Sequence, residues 1–398
     1  MASMEREILN KENTKIRKGG KRKKIQEAKI EPKKKQQLDV ENGGGEEYEN
    51  ATVGNSSEKK ELPPLLDLEK DVLDYIIGQD EQVRQIITAI YRSKVFHDIK
   101  SNVLIIGKSG TGKTATVTQI AKMLDIPYTI EDATKYTQEG YYGSDVIEMI
   151  YNLISSANND MSDEVPNIEA EIQKARDGII IIDEIDKKAS NDVSNDVSGV
   201  EVLKSLLKII EGSTVKIEPM GFFGETVPFD TSNLTIILMG AFPGLDKIRD
   251  RRLNRNAFGF SNSQQKTDSS KSKKYIKEDL IKYGMTEEFV GRIDTIIEMN
   301  ALGVSELTEI LKKSKLSIFR RFQKELKRVG VKLVFNDRIF EEIAEASLEI
   351  DTGARELSNT VNLIFEKIVY EVLAHPGKYK KCKLLPGIVK DNTRFELS

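Results

Sequence analysis

Cysteine, histidine and tryptophan are almost missing from this chain of 398 residues, which has one cysteine (Cys382), two histidines (His97 and His375) and no tryptophan. A Cys/His zinc cluster and an internal disulfide are therefore both excluded. No apolar run approaches the length of a membrane span, and no signal peptide precedes the basic start, so a cytoplasmic protein with no membrane partner is expected. Charge of one sign is lacking as well, since 61 Lys and Arg face 64 Asp and Glu for a net charge of −3. The net charge of the whole chain therefore advertises no polyanion partner, and a nucleic-acid partner is not expected.

Apolar residues are scarce before Leu62. From Lys11 to Lys35 basic residues outnumber acidic ones by about four to one, and Glu41 to Glu49 is acidic and glycine-rich. Such a segment buries too little to offset its ordering entropy, and a solvated, disordered tail over 1–62 is expected. A basic arm for an acidic partner and a cleavable presequence are the other readings, weakened by the interspersed Glu residues and by Glu5, Glu7 and Glu12.

What is present begins with Val103 to Thr114, VLIIGKSGTGKT, an apolar strand running into a glycine-rich turn that ends in Lys-Thr. Gly107, Lys108, Ser109, Gly110, Thr111 and Gly112 let backbone N–H groups turn inward on phosphate oxygens, and the following helix adds its positive end. Lys113 suits the β and γ phosphates of ATP, and the Thr114 hydroxyl suits Mg²⁺. A second aliphatic run, Gly178 to Ile182, leads into Asp183 and Glu184. Four consecutive aliphatics predict a strand buried on both faces of a parallel sheet, with the acidic pair at its carboxyl end, where α/β sheets bind ligands. Asp183 is then a Mg²⁺ ligand through water and Glu184 the general base for an attacking water. Alone, the pair reads as an acidic cap; with the glycine loop before it, catalysis is the better reading.

Helical spacing predicts helices over Leu68–Gly78, Gln79–Phe96, Lys113–Leu124, Val146–Ala157 and Val200–Glu211. Strands are expected at Val103, near Tyr128, at Ile179 and over Leu234–Met239. The alternation implies a mostly parallel sheet covered by helices. Asn262 to Lys274 reads as a loop, and beyond about Gly303 a smaller helical region follows, with helices over Ile318–Val329, Arg338–Ser347 and Arg355–Leu373.

From about Asp71 to Leu373 the order of motifs resembles the AAA+ module of the ClpX family of protein unfoldases. Tyr75-Ile-Ile-Gly-Gln79 is similar to the box whose aliphatics, here Ile77, contact adenine. GKSGTGKT and IIIIDEIDK resemble the two Walker motifs. EGYYGSD (Glu139–Asp145) resembles a pore loop, DVSGVEV (Asp196–Val202) a second one, and GAFPGLDKI (Gly240–Ile248) the segment closing the next strand. YGMTEEFVGRID (Tyr283–Asp294) is similar to the arginine-finger region and TGARELSN (Thr352–Asn359) to the second sensor.

The resemblance implies an α/β fold: a three-layer αβα P-loop NTPase domain over 63–302 and a smaller, mainly helical C-terminal lid over 303–398. It implies a homo-hexamer that hydrolyses ATP with Mg²⁺ and threads unfolded or tagged proteins through a pore. Arg292 would reach the γ-phosphate held by a neighbour, and Arg355 would sense nucleotide in its own subunit. Tyr141 would grip substrate, with Tyr142 beside it. Phe258-Gly259-Phe260 stands where the family carries its docking tripeptide for a ClpP-type peptidase. The chain departs from the family in lacking the zinc-binding domain. It has GFFG in place of a basic entry loop, Met239 where a polar first sensor is usual, and Glu287 near a family proline. A remodeller working without a peptidase shares every ATPase residue, and a nucleic-acid motor is the remaining alternative.

Overall fold

A computed structural model describes residues 62–96, 100–136, 146–158, 168–189, 197–218, 226–255, 273–349 and 354–398. Its centre is a five-stranded sheet of β1 (Asn102–Ile106), β2 (Tyr128–Asp132), β3 (Ile179–Asp183), β6 (Thr235–Gly240) and β7 (Thr295–Glu298). All neighbours are parallel, in the order β2-β3-β6-β1-β7.

The runs of aliphatics explain the layering, because successive side chains of a strand point to opposite faces. On one face Val103, Ile105, Ile179, Ile181, Ile237 and Met239 pack beneath α1 (Leu65–Leu73), α2 (Asp80–Val95) and α3 (Lys113–Leu124). On the other, Leu104, Ile106, Ile180, Ile182, Ile236 and Leu238 pack against α4 (Glu148–Ser156), α5 (Ile168–Arg176) and α6 (Val197–Ile210). The result is the expected three-layer αβα arrangement.

Several elements differ from the sequence expectation. The first helix spans Leu65–Leu73 rather than Leu68–Gly78, and Gly78, at φ +79°, lies in the connection before α2 starts at Asp80. The stretch between Gly212 and Asp230 contains an antiparallel pair, β4 (Thr214–Ile217) with β5 (Val227–Asp230). Helices α7 (Leu245–Arg255), α8 (Lys277–Tyr283) and α9 (Glu287–Gly291) occur between β6 and β7, and residues 262–272 of the expected loop lie outside the described residues.

From Leu302 onward the chain has a separate buried cluster. It is formed by α10 (Val304–Lys313), α11 (Ile318–Arg328), α12 (Arg338–Glu349) and α13 (Ala354–Ala374), and by a small sheet of β8 (Lys332–Val334), β9 (Lys381–Leu384) and β10 (Phe395–Leu397). Phe365 is fully buried there, stacked on Phe322 at 4.7 Å and edge-on to Phe319 at 5.4 Å. Phe365→Leu removes both ring contacts and leaves a void, so unfolding of this region should become easier by about 2 kcal/mol. Chemical denaturation monitored by circular dichroism tests this; an unchanged midpoint would show that the cluster repacks without loss.

Candidate active site

The phosphate loop leaves β1 at Gly107, whose N–H donates to Gly240 O at 3.1 Å and so ties the loop to the neighbouring strand end. A Cβ on Gly107 would lie 2.8 Å from Met299 Cβ and 2.9 Å from Thr111 Oγ1, so this position accepts only glycine without movement. Gly110 and Gly112 have φ of +76° and +92°, the left-handed conformation in which successive N–H groups converge. Gly112 caps α3 without any side-chain hydrogen bond, which leaves the first N–H groups of that helix to an outside anion.

Lys113 is buried, and its ammonium donates to the carbonyls of Gly107 and, at 3.1 Å, Lys108. Desolvation lowers its pKa, while Asp183 and Asp186 act to raise it and the nearby Arg355 charge lowers it further. The cradle therefore holds a poorly hydrated cation at the point where phosphate oxygens would enter, and the residues present fit a triphosphate.

Asp183 ends β3 with both oxygens engaged: Oδ1 accepts the Glu184 N–H at 2.8 Å and Oδ2 faces the Thr114 hydroxyl at 3.5 Å. A hydroxyl and a carboxylate oxygen at that separation form the oxygen-rich corner that suits a hard divalent cation. Glu184 follows at φ +57°, an uncommon conformation for a side chain with a Cβ, and its carboxylate is exposed at the head of a short 3-10 turn, Ile185–Lys188.

Three contributors were not singled out by sequence reasoning. Asp186 is buried, and its Oδ2 accepts the Phe242 N–H at 3.2 Å; a Cβ on Gly240 would lie 2.6 Å from its Oδ1. The buried Gln79 amide donates to Thr111 O at 3.2 Å and Asn300 O at 2.9 Å, and its oxygen accepts the Asn300 N–H at 2.9 Å. That amide locks the segment before α2 onto both the phosphate loop and the end of β7. The third is the N-terminus of α13, where Ala354 N–H donates to Gly110 O at 3.1 Å. The only sequence signal for all three was their place inside motifs, Ala354 lying within Thr352–Asn359.

Beside the loop lies a mostly apolar pocket lined by Ile76, Ile77, Leu302, Ile310, Leu311 and Leu357 among others, with Thr111 and Gly112 at its border. Its walls come from both the sheet domain and the C-terminal helices, and its character matches a planar base beside a phosphate cradle.

The structure thus brings Ile77, the loop from Gly107 to Thr114, Asp183 and Arg355 together. Arg292 is not part of that group. It precedes β7 at the end of the sheet where Asp294 N–H donates to Asn102 O at 2.9 Å, whereas the phosphate loop leaves the opposite end of β1. Five residue steps of strand separate Asn102 from Gly107, about 16 Å. Tyr141, Tyr142, Phe258, Gly259 and Phe260 lie outside the described residues.

Comparisons with known proteins agree with this geometry. The family model for the AAA domain (Cdc48 subfamily) matches residues 98–296, and that for the C-terminal, D2-small domain of ClpB protein matches 302–381. The ATP-dependent Clp protease ATP-binding subunit ClpX of Bacteroides thetaiotaomicron is 34% identical over 346 residues, 82% of this chain and 81% of the relative. Its counterpart in Borrelia duttonii is 36% identical over 332 residues, 78% and 75% of the two chains. That of Bacteroides fragilis is 33% identical over 358 residues, 84% and 83%. With a nucleotide cradle, an acidic strand end and this extent of similarity, the chain belongs to the ClpX family and is an AAA+ ATPase.

Proposed function

We propose that this ATPase is a protein unfoldase and translocase that acts as a ring of identical subunits, six by family resemblance, and passes polypeptides to a ClpP-type peptidase. The observation that carries the reading is the separation of Arg292 from the phosphate loop of its own subunit. Arg292 can act only on a γ-phosphate held by a neighbouring copy, so in this reading assembly adds a cation to those that Lys113 and Arg355 already supply.

In this reading residues 63–302 form the ATP-binding domain and 303–398 the lid, with Ile77 and its apolar neighbours seating the base. The N–H groups from Lys108 to Gly112 and the Lys113 ammonium hold the triphosphate. Thr114 and Asp183 would hold Mg²⁺, which supplies positive charge beside the β and γ phosphates. Glu184 accepts the proton of the attacking water, and Arg292 of the adjacent subunit stabilises charge as it develops on the phosphoryl oxygens. Arg355 follows Ala354, the first residue of the helix and the one bonded to Gly110, so a change at the phosphates reaches the lid through one short connection. Tyr141, with Tyr142, is the proposed gripping residue and Phe258-Gly259-Phe260 the proposed peptidase contact. Aromatics on a loop can hold extended polypeptide without sequence preference.

The test is ATP-dependent loss of fluorescence from a stable fluorescent protein bearing varied unstructured tails, with and without a ClpP-type peptidase. Unfolding with peptide release supports the full reading. Unfolding without release assigns a remodeller that works alone, and ATPase activity with no unfolding on any tail overturns the proposal.

A further inference from the structure

We infer that Glu211 and Asn102 are positioning residues for Arg292, and that together they aim its guanidinium at the nucleotide of a neighbouring subunit. The inference rests on the reading of Arg292 given above.

Arg292 Nη2 lies 2.7 Å from Glu211 Oε1 in an ion pair whose side chains are 54% and 37% exposed. The two residues come from separate elements, Glu211 directly after α6 and Arg292 directly after α9, yet one side chain fixes both backbones. The buried Asn102 amide donates to Ile210 O at 3.2 Å and to Arg292 O at 3.0 Å. Asn102 is itself held within the sheet, since its N–H donates to Asp294 Oδ2 at 2.8 Å and its carbonyl accepts the Asp294 N–H at 2.9 Å. Two lysines brace the same corner: Lys277 donates to Gly291 O at 3.1 Å, and Lys100 donates to Thr231 O at 2.7 Å and to Ile209 O. The Asn102 amide oxygen is buried with no hydrogen-bond partner. An unpaired buried acceptor is unfavourable, so what this residue contributes is its two donors, and both go to the frame of the ion pair.

An exposed ion pair adds little to stability and gives way easily to a stronger anion. Its value here lies in orientation. Arginine has many rotamers, and a guanidinium held in one direction before phosphate arrives loses less freedom on engaging it. The carboxylate also leaves donors available, because a guanidinium presents five N–H groups and a single carboxylate cannot engage them all. Asn102 begins the strand whose far end is the phosphate loop. The finger offered to a neighbour and the subunit's own nucleotide therefore sit at the two ends of one central strand.

The experiment uses full-length Glu211→Ala, Glu211→Gln and Arg292→Ala proteins, each alone and mixed with an excess of Glu184→Gln subunits. Turnover is normalised to wild-type protein mixed in the same ratio. Alone, Glu211→Ala should lose about tenfold in kcat, as expected for misaiming a group whose full contribution is about 10³-fold or more. Its KM, its affinity for a fluorescent ATP analogue and its assembly mass by light scattering should stay at wild-type values, and Glu211→Gln, which keeps an acceptor, should fall between. Mixing supplies intact fingers from subunits whose own sites are idle, so turnover per Glu211→Ala subunit should rise, as should that of Arg292→Ala. A wild-type kcat in Glu211→Ala, or rescue of Arg292→Ala without rescue of Glu211→Ala, overturns the positioning role. No rescue of Arg292→Ala overturns instead the assignment of Arg292 as a group acting between subunits.

Discussion

Glu184→Gln should bind ATP about as tightly as the wild-type chain and hydrolyse it more slowly by about 10²–10⁴-fold, the range that a positioned general base contributes. The substitution keeps side-chain length and one acceptor oxygen while removing the negative charge and basicity. Three observations make it a clean change. The side chain is exposed, so stability should move by no more than about 0.5 kcal/mol. The hydrogen bond that orients Asp183 comes from the Glu184 backbone N–H, which glutamine retains. The backbone is already at φ +57°, and glutamine has the same Cβ environment there as glutamate. Rapid-quench single-turnover hydrolysis, beside equilibrium binding of a fluorescent ATP analogue, separates the two steps. Normal single-turnover rates would remove Glu184 from the chemistry and direct attention to Asp183 and Asp186, the other two carboxylates at this strand end.

The parts of this site that the sequence disclosed share a physical property: local chain geometry alone determines them. Val103–Ile106 and Ile179–Ile182 are readable because a strand covered on both faces needs apolar residues at every position. Gly107 to Thr114 is readable because its left-handed glycines and uncapped helix start are consequences of residue type. The strands that escaped notice are short or flanked by polar residues. Strand β7 has four residues with Thr and Glu at its ends, and β8 and β10 have three each, too few to display a period. In β9 the alternation is present but brief: Lys381 and Lys383 are exposed while Cys382 and Leu384 are buried. That burial pushes the Cys382 thiol up to about 12, which makes the one cysteine of the chain a packing group and not a nucleophile.

Tertiary placement accounts for the rest. Gln79 looks like an ordinary polar residue before a helix, and only folding shows its amide joining residues more than two hundred positions apart. The likeness of Arg292 to a finger motif suggested its role, but its distance from the phosphate loop follows from β1 and β7 being parallel neighbours. The pairing with Glu211 also needs α6 to end at the same edge of the sheet. No spacing within the sequence contains that information, since it arises from strand order and not from any local period.

Lys113→Ala should have the opposite signature to Glu184→Gln, abolishing hydrolysis by preventing tight binding. Lys113 is 9% exposed and its ammonium sits on two loop carbonyls. Removing one member of a largely desolvated charge pair costs several kcal/mol, which for ATP corresponds to about 10³-fold in affinity. The titration of this lysine supplies an independent check. Desolvation lowers the Lys113 pKa in the free protein, and bound phosphate, by adding negative charge, raises it again. Binding therefore takes up a proton in the window between the lowered free-state pKa and the raised bound-state pKa, and ATP affinity falls as pH rises through that window. Calorimetric titration in buffers of different ionisation enthalpy measures the uptake directly. Wild-type protein should show it within that window, and Lys113→Ala should not. Lys113→Arg should bind with a flatter pH dependence, because a guanidinium stays protonated throughout. Equal proton uptake by the wild type and Lys113→Ala would assign the titration to another group, and tight ATP binding by Lys113→Ala would remove Lys113 from the cradle altogether.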